Sequence, residues 1–291
     1  MKTLYVTDLD GTLLNSNSSI SPYTLKVINQ LVEEGIHFTY ATARSLSSAS
    51  IVTKGLSTKI PVIAYNGTII FDASNGEILA SNSFTREAIE YVKRLLTAHD
   101  IYPLVYSFVN KEEKVSWVTT KVNEGMKHYL SLRQGDRRLR PLPQKQGLYD
   151  GNVFYFTCIG EPEELAPIYD ILSKDSRYTC TIQQELNRTE YWCEIMPRKA
   201  TKAEGVKILK ELYNFDYVIS FGDAINDIPM FEISDEAYAV ANAVDTLKEV
   251  ATGIIRSNDE DGVAKCIQEF FKKPMRRIVM EQLSSINHWP D

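Results

Sequence analysis

Apolar and polar positions in the first 66 residues alternate between strand-like runs and a helix-like stripe. Three apolar runs end near Asp8, Thr42 and Asn66, and short runs bounded by polar residues predict buried strands. The Ser-Pro pair at residues 21–22 predicts the start of a helix after the first strand, because serine caps free backbone amides and proline fits a first turn. The chain therefore begins in the order strand, helix, strand, helix, strand.

The same order returns in the last third of the chain. Apolar residues at helical spacing cover 201–213, where Thr201 and Glu204 have the spacing of a capping box. A strand candidate then ends at Asp223, and two shorter ones follow within 237–256. Strands that alternate with helices need right-handed crossovers, so the sequence predicts an α/β fold with a doubly wound, Rossmann-like parallel sheet.

The segment between these two parts has a different pattern, in which helix candidates mix with aromatic, β-rich runs. The helix candidates span 85–99 and 163–174, and the strand candidates span 102–108, 115–120, 152–159, 178–184 and 190–196. The pattern predicts an inserted α+β domain over 83–194, which interrupts a core domain formed by 1–82 and 195–291.

Three groups of residues outside the core pattern each leave two interpretations open. Aromatic residues in the insertion are interpreted as packing residues in preference to substrate-stacking ones: Trp117, Tyr155, Tyr191 and Trp192. A basic run is interpreted as a solvated loop in preference to a second phosphate site: Arg137, Arg138 and Arg140. The tail 273–291 is interpreted as a packing helix in preference to a partner-binding segment, from the spacing of Met275, Ile278, Val279 and Leu283.

Polar side chains follow the predicted core strands at four places. They are Asp8 with Asp10, Thr42 with Arg44, Asn66 alone, and Asp223 with Asn226 and Asp227. Ligands of open α/β sheets bind outside the carboxyl ends of the strands, so we expect these four clusters to form one site. The alternative is that each cluster is an ordinary turn, since Asp-Gly is common turn chemistry.

The chemistry of these residue types points to phosphoryl transfer. Asp8, Asp10 and Asp223 supply the oxygen ligands that a hard dication such as Mg²⁺ prefers. A carboxylate beside a dication can act as a nucleophile, and a neighbouring acid can exchange protons with the leaving group and with water. Thr42 and Lys202 are suitable donors to phosphoryl oxygens.

Composition excludes several classes of function. A net charge of −6 argues against a nucleic-acid partner, which normally requires a basic face. The sequence has no run of 18 or more apolar residues and no charged-then-apolar leader pattern, and its four cysteines have no CxxC spacing. These features predict a cytoplasmic protein that does not bind membranes, whereas the oligomeric state stays open.

Five short segments resemble the motifs of a known family. They are DLDGT at 8–12, ATAR at 41–44, NG at 66–67, Lys202, and GDAINDIPM at 222–230. Their residues and order resemble the haloacid dehalogenase-like (HAD) hydrolases, and the large insertion is similar to that of Cof-type phosphatases with a C2 cap. The resemblance covers about 1–82 and 195–272. It implies a Mg²⁺-dependent phosphatase that acts on a small phosphorylated metabolite, such as a sugar phosphate or a phosphorylated cofactor, beneath a mobile lid.

The resemblance also implies individual roles. Asp8 would be the nucleophile and a metal ligand, and Asp10 the general acid/base with its backbone carbonyl on the metal. The other implied roles are metal ligand for Asp223, support of the metal's waters for Asp227, and binding of the phosphoryl or leaving group for Thr42, Arg44, Asn66, Lys202 and Asn226.

Two departures from the family pattern and two other functions remain to be considered. Ala43 and Ala203 stand where the family usually has glycine, which we interpret as tuning of the site. A phosphomutase would share the covalent step but return the phosphoryl group to a sugar. A non-catalytic ligand sensor would keep only the fold.

Overall fold

The computed structural model describes residues 1–184 and 188–272. The chain divides into two compact units. Unit 1 contains Met1–Leu79 and the described residues from Thr201 onward, and unit 2 contains Ala80–Ala200.

The described residues form fourteen strands. They are β1 (Thr3–Thr7), β2 (His37–Tyr40), β3 (Val62–Ala64), β4 (Ile69–Phe71), β5 (Ile78–Ser81), β6 (Leu104–Val109), β7 (Glu112–Val118), β8 (Leu139–Leu142), β9 (Asn152–Gly160), β10 (Tyr178–Gln184), β11 (Tyr191–Pro197), β12 (Tyr217–Gly222), β13 (Glu236–Val240) and β14 (Gly253–Ile255).

The helices with both ends in the described part of the chain follow the same numbering. They are α1 (Pro22–Glu33), α2 (Leu46–Val52), α3 (Arg86–Ala98), α4 (Glu124–Ser131), α5 (Pro162–Leu172), α6 (Lys202–Tyr213), α7 (Ile228–Glu232) and α8 (Asp245–Val250). Residues 262–272 are helical as well. No helix in the described ranges has both the length and the apolar character needed to cross a membrane.

Unit 1 is built on a five-stranded sheet in the order β14-β13-β12-β1-β2. All four strand pairs are parallel, which confirms the predicted parallel sheet. Fully buried side chains such as Leu4, Phe38 and Phe221 come from three neighbouring strands, so the sheet is also the centre of the hydrophobic core. Because the strands run in one direction, the residues that follow β1, β2 and β12 emerge at one edge.

The helix termini of unit 1 follow the predicted cap chemistry in part. The Ser21 hydroxyl accepts a hydrogen bond from the Thr24 amide at the start of α1, as predicted. At the start of α6, the Thr201 hydroxyl accepts from the Glu204 amide. The Glu204 carboxylate instead accepts from Lys207 Nζ at 2.7 Å, so only one half of the expected capping box forms.

Strand β3 is the first strand of a small second sheet that the sequence patterns did not predict. A parallel bridge between Ala41 and Ile63 places β3 beside the end of β2. The chain then turns back, and β3, β4 and β5 form a separate three-stranded sheet in which β3 and β4 are antiparallel. Tyr65 and Asn66, in the turn after β3, both have positive φ angles.

Unit 2 has a six-stranded sheet in the order β10-β11-β9-β6-β7-β8. Its neighbours are antiparallel apart from the parallel pair β7 and β8. Buried residues of α3 and α5, such as Val92 and Leu165, pack in one cluster with Phe156 and Ile195 of the sheet. The five predicted strands and two predicted helices of this region are present, whereas β8 and α4 were not predicted.

The packing interpretation of the insertion's aromatic residues agrees with the surroundings of three of them. Trp117 and Tyr155 are buried, and Trp192 packs edge-on against Tyr129. The solvated-loop interpretation of the basic run is wrong for two of its residues. Arg138 is only 16% exposed and pairs with Asp136 and Glu113, and Arg140 lies in β8 and pairs with Asp150. The predicted tail helix with Met275, Ile278, Val279 and Leu283 lies outside the described residues.

Substitution of Gly67 tests the close contact between the turn after β3 and the start of α6. Its φ is +94°, and a Cβ added there would lie 1.9 Å from the Thr201 carbonyl oxygen, directly before α6. Gly76 also has a positive φ, of +75°, but a Cβ there would meet nothing within 4 Å. We expect Gly67→Ala to lower the free energy of unfolding by about 1–3 kcal/mol more than Gly76→Ala, the range for an overpacked site. Urea denaturation measures both variants, and equal losses would contradict the close approach at Gly67.

Candidate functional site

A buried lysine joins two carboxylates at the edge of the parallel sheet. Lys202 is the first residue of α6, and its side chain is 1% exposed. Its Nζ donates to Asp8 Oδ1 at 2.6 Å and to Asp227 Oδ1 at 2.7 Å. Asp8 directly follows β1, and its amide donates to the Phe221 carbonyl of β12. The lysine therefore connects the ends of β1 and β12 to the start of α6.

Asp227 has both carboxylate oxygens engaged by the protein. While Oδ1 accepts from Lys202, Oδ2 accepts from the backbone amides of Asp223 and Ala224 at 3.0 and 3.1 Å. The side chain is fully buried. Asp227 thus shapes the loop after β12 and fixes the position of Asp223.

Asp223 is held from the other side by the turn that follows Asp8. Thr12 Oγ1 donates to Asp223 Oδ1 at 2.7 Å. Gly11 has a φ of +75°, and a Cβ there would lie 2.4 Å from an Asp223 carboxylate oxygen. The Asn242 side-chain amide donates to the Gly11 carbonyl at 2.8 Å. The turn and the carboxylate are therefore in close contact, which only glycine permits at this position.

Burial and charge determine the ionisation of this network. Burial raises the pKa of Asp8 well above its usual value, and the Lys202 ammonium opposes that rise. Burial likewise raises the pKa of Asp223, against the effect of the Thr12 hydrogen bond. For Lys202, burial alone would lower the pKa, but Asp227 and Asp8 outweigh it and the pKa is raised. Lys202 is therefore charged, and a further cation would favour the ionised forms of Asp8 and Asp223.

The three carboxylates form a donor set that fits a hard dication. One oxygen from each of Asp8, Asp223 and Asp227 lies within 4.8 Å of the others. Lys202 Nζ donates to Oδ1 of Asp8 and Thr12 Oγ1 donates to Oδ1 of Asp223, so neither donor engages an Oδ2 atom. Carboxylate oxygens are the ligands that Mg²⁺ prefers. Asp8 and Asp223 are thus suited to direct ligation, and Asp227 to supporting them.

Asp10 and Arg44 form a separate pair at the same edge. Arg44 Nε donates to Asp10 Oδ2 at 2.7 Å, and a terminal guanidinium nitrogen donates to Oδ1 at 2.6 Å. The Asp10 side chain is half exposed. The hydrogen bond to Asp10 raises the pKa of Arg44, and the Asp8 carboxylate adds to that rise. Asp10 is thus outside the carboxylate cluster, although Arg44 is near enough to Asp8 for the charge of that carboxylate to contribute to its raised pKa.

Thr42, Asn66 and Asn226 form the rest of the edge. Thr42 is buried, and its hydroxyl accepts from the Arg44 amide at 3.1 Å while its carbonyl accepts from the Asn66 amide at 2.9 Å. Asn226 Nδ2 donates to Asn66 Oδ1 at 3.2 Å. Within the described ranges, no side-chain hydrogen bond joins these residues to the Lys202 network.

Four more residues lie at or near the site. Ala43 and Ala203 stand where the family usually has glycine, and Thr12 and Asn242 were not expected there. Ala43 is exposed beside Arg44, and Ala203 is buried in the first turn of α6. Sequence reasoning assigned no role to Thr12, although its place four residues after Asp8 was a usable signal. It also missed Asn242, which contacts the turn from 231 positions away, so no local pattern identifies it.

Comparisons with known proteins agree on one family. A family model described as haloacid dehalogenase-like hydrolase matches residues 5–267. A relative from Bacillus subtilis (strain 168), 5-amino-6-(5-phospho-D-ribitylamino)uracil phosphatase YwtE, is 28% identical over 90% of this chain and 96% of its own. A putative phosphatase from Haemophilus influenzae is 27% identical over 91% and 96%. A crystal structure of a Thermotoga maritima protein matches with a TM-score of 0.76 and 26% identity, covering 92% of this chain and 97% of that one.

Replacement of Lys202 tests the central ion pairs. Lys202→Met removes the cation and leaves the buried carboxylates of Asp8 and Asp227 without a partner of opposite charge. We expect the free energy of unfolding to fall by about 3–5 kcal/mol, the range for breaking a buried ion pair. Urea denaturation in the presence of a chelator measures this loss without interference from metal binding.

Lys207→Met is the matched control on the same helix. Lys207 forms an exposed pair with Glu204, so we expect a loss below about 0.5 kcal/mol. A similar loss for both variants would mean that the buried pairs contribute no more than an exposed one.

Proposed function

This chain belongs to the haloacid dehalogenase-like hydrolase family, and from that premise we propose that it is a Mg²⁺-dependent phosphatase acting on a small phosphorylated metabolite through an aspartyl-phosphate. The observation that supports this best is the buried network in which Lys202 holds Asp8 and Asp227 beside Asp223. The proposal combines a nucleophile, an oxygen-only metal site and a fixed cation in one place.

Asp8 is the proposed nucleophile. Lys202 fixes Oδ1 of Asp8, which leaves Oδ2 to attack the phosphorus atom. The bond from phosphorus to the ester oxygen breaks as the bond to Asp8 forms. A water then attacks the aspartyl-phosphate, which releases inorganic phosphate and regenerates the carboxylate. Asp8 and Asp223, with the Asp10 backbone carbonyl, would hold the Mg²⁺, whose charge offsets the repulsion between the carboxylates and the phosphoryl group.

Asp10 is the proposed general acid and base. It gives a proton to the departing ester oxygen and takes one from the attacking water in the second step. Arg44 binds both oxygens of Asp10, which fixes the direction of that carboxylate at the edge of the sheet. Arg44 is thereby also placed to meet the leaving group.

The remaining side chains are proposed to bind the phosphoryl group and its ester. The Lys202 ammonium and the Thr42 hydroxyl are donors suited to phosphoryl oxygens. Asn66 and Asn226 are joined to each other, so we propose that they bind as a pair. Asp227 positions Asp223 and Lys202 through the three hydrogen bonds that its carboxylate accepts, and it takes no direct part in the chemistry.

The substrate class is proposed from chemistry and from one relative's name. The core side chains recognise only what all phosphate monoesters share, and the net charge of −6 supports a small-molecule partner over a nucleic acid. The Bacillus subtilis relative is named as a phosphatase of 5-amino-6-(5-phospho-D-ribitylamino)uracil, so that compound is the first candidate. The cap role of residues 83–194 and the cytoplasmic location stay predictions.

A substrate panel with purified protein tests the proposed reaction. It contains the phosphorylated ribitylaminouracil, sugar phosphates and phosphorylated cofactors, each with Mg²⁺. We expect phosphate release from at least one compound, and loss of that activity by several orders of magnitude in Asp8→Asn, which lacks the nucleophile. Isomerised product without free phosphate would identify a phosphomutase, and unchanged turnover in Asp8→Asn would refute the assigned nucleophile.

Removal of the metal tests the proposed cofactor. Because the donor set contains only oxygen, we expect a chelator to stop phosphate release and added Mg²⁺ to restore it. Circular dichroism of the chelated protein checks that the fold is kept. Full activity after exhaustive chelation would exclude a metal requirement.

A further inference from the structure

Unit 2 contains two cavities at loops that the proposed reaction does not use. The larger, of about 540 Å³, is lined by residues 99–102, 120–123 and 163–165, with buried Met126 and Ile159 among its apolar walls. The smaller, of about 260 Å³, is lined by residues 145–147, 149 and 150 and by Lys93 and Thr97 of α3. The larger cavity is within the size range of small-molecule sites.

Tyr102 relates the two cavities to each other. Lys121 lines the larger cavity, and its Nζ lies 4.9 Å from the centre of the Tyr102 ring. Lys145 lines the smaller cavity, and its Nζ lies 4.6 Å from the same ring centre. The two ammonium groups are therefore no further apart than the sum of these distances. Each is attracted by the ring, but they repel one another.

Among residues 1–184 and 188–272, no carboxylate forms an ion pair with either of these two lysines. In the described part of the chain, the side-chain ammonium groups of Lys121 and Lys145 donate no hydrogen bond, and the Tyr102 hydroxyl has no hydrogen-bond partner. Lys127, in the same unit, is different because it pairs with Glu124 at 2.7 Å. Three unpartnered donors from three separate loops thus converge on one place.

We propose that Lys121, Tyr102 and Lys145 of unit 2 bind an anionic group of the phosphate type. The larger cavity also has carboxylates at Asp100, Glu163 and Glu164. A ligand that fills it therefore joins its anionic group to an uncharged or cationic body. Inorganic phosphate and a phosphate ester share the anionic group, but only the ester has a body attached to it.

Residue-resolved lysine labelling tests the site in the full-length protein. Reductive methylation is followed by peptide mass spectrometry at low salt, because salt screens exposed charges. One arm contains inorganic phosphate, a second contains 2-hydroxyethylphosphonate, which has no amine to consume the reagent and whose carbon–phosphorus bond is not hydrolysed, and a third contains chloride at equal ionic strength. We expect both phosphorus compounds to slow labelling of Lys121 and Lys145 but not of Lys127. Stronger protection by the phosphonate would identify an ester-type ligand, and equal protection a site for phosphate itself.

Two variants separate a joint site from two independent lysines. In Lys145→Gln, we expect binding measured by protection of Lys121 to weaken about two- to fivefold, the range for one exposed ion pair. Lys127→Gln is the matched control and should leave that protection unchanged. The proposal is overturned if neither phosphorus compound protects Lys121 and Lys145, if Lys127 is protected equally, or if Lys145→Gln has no effect on Lys121. Labelling is read at each lysine, so anion binding in unit 1 does not affect the outcome.

Discussion

The position of Lys202 between Asp8 and Asp227 is the constraint on which the rest of the site depends. An ammonium in the first turn of a helix opposes the helix dipole, and burial adds a desolvation cost. Two carboxylates at 2.6 and 2.7 Å outweigh both effects. The contacts join residues separated by 194 and 25 positions in the chain, so they connect the end of β1, the loop after β12 and the start of α6.

One lysine does not balance three buried or half-buried carboxylates. Lys202 contacts Asp8 and Asp227, whereas Asp223 depends on the Thr12 hydroxyl and on its backbone support. Burial raises the pKa values of Asp8 and Asp223, and the charge of Lys202 only opposes that rise. A bound dication would complete the charge balance of the site, and in the proposed reaction it would let these carboxylates face a phosphoryl group without excluding it.

Much of this arrangement follows from sequence because parallel strands end at one edge of a sheet. That rule is sufficient to bring Asp8, Thr42 and Asp223 to the same edge from their positions after apolar runs. It does not reveal which oxygen Lys202 binds, because the pairing depends on how α6 packs in three dimensions. Elements with weak local signals were also missed. Strand β8 contains a proline at its third position, which lowers its strand signal, and α4 is only eight residues long and has a glycine at its second position.

The turn that contains Asp8, Gly11 and Thr12 packs against the loop after β12. This packing accounts for the glycine and the threonine of the turn, whereas the proposed chemistry accounts only for its acids. A side chain at position 11 would collide with the Asp223 carboxylate, and the hydroxyl at position 12 donates to that same carboxylate. Asp227 then fixes Asp223 from behind through two backbone amides. The turn after β1 and the loop after β12 therefore form one interlocked structure. Since each loop fixes the geometry of the other, residues without a proposed chemical role constrain the distance between Asp8, the proposed nucleophile, and Asp223, the proposed metal ligand.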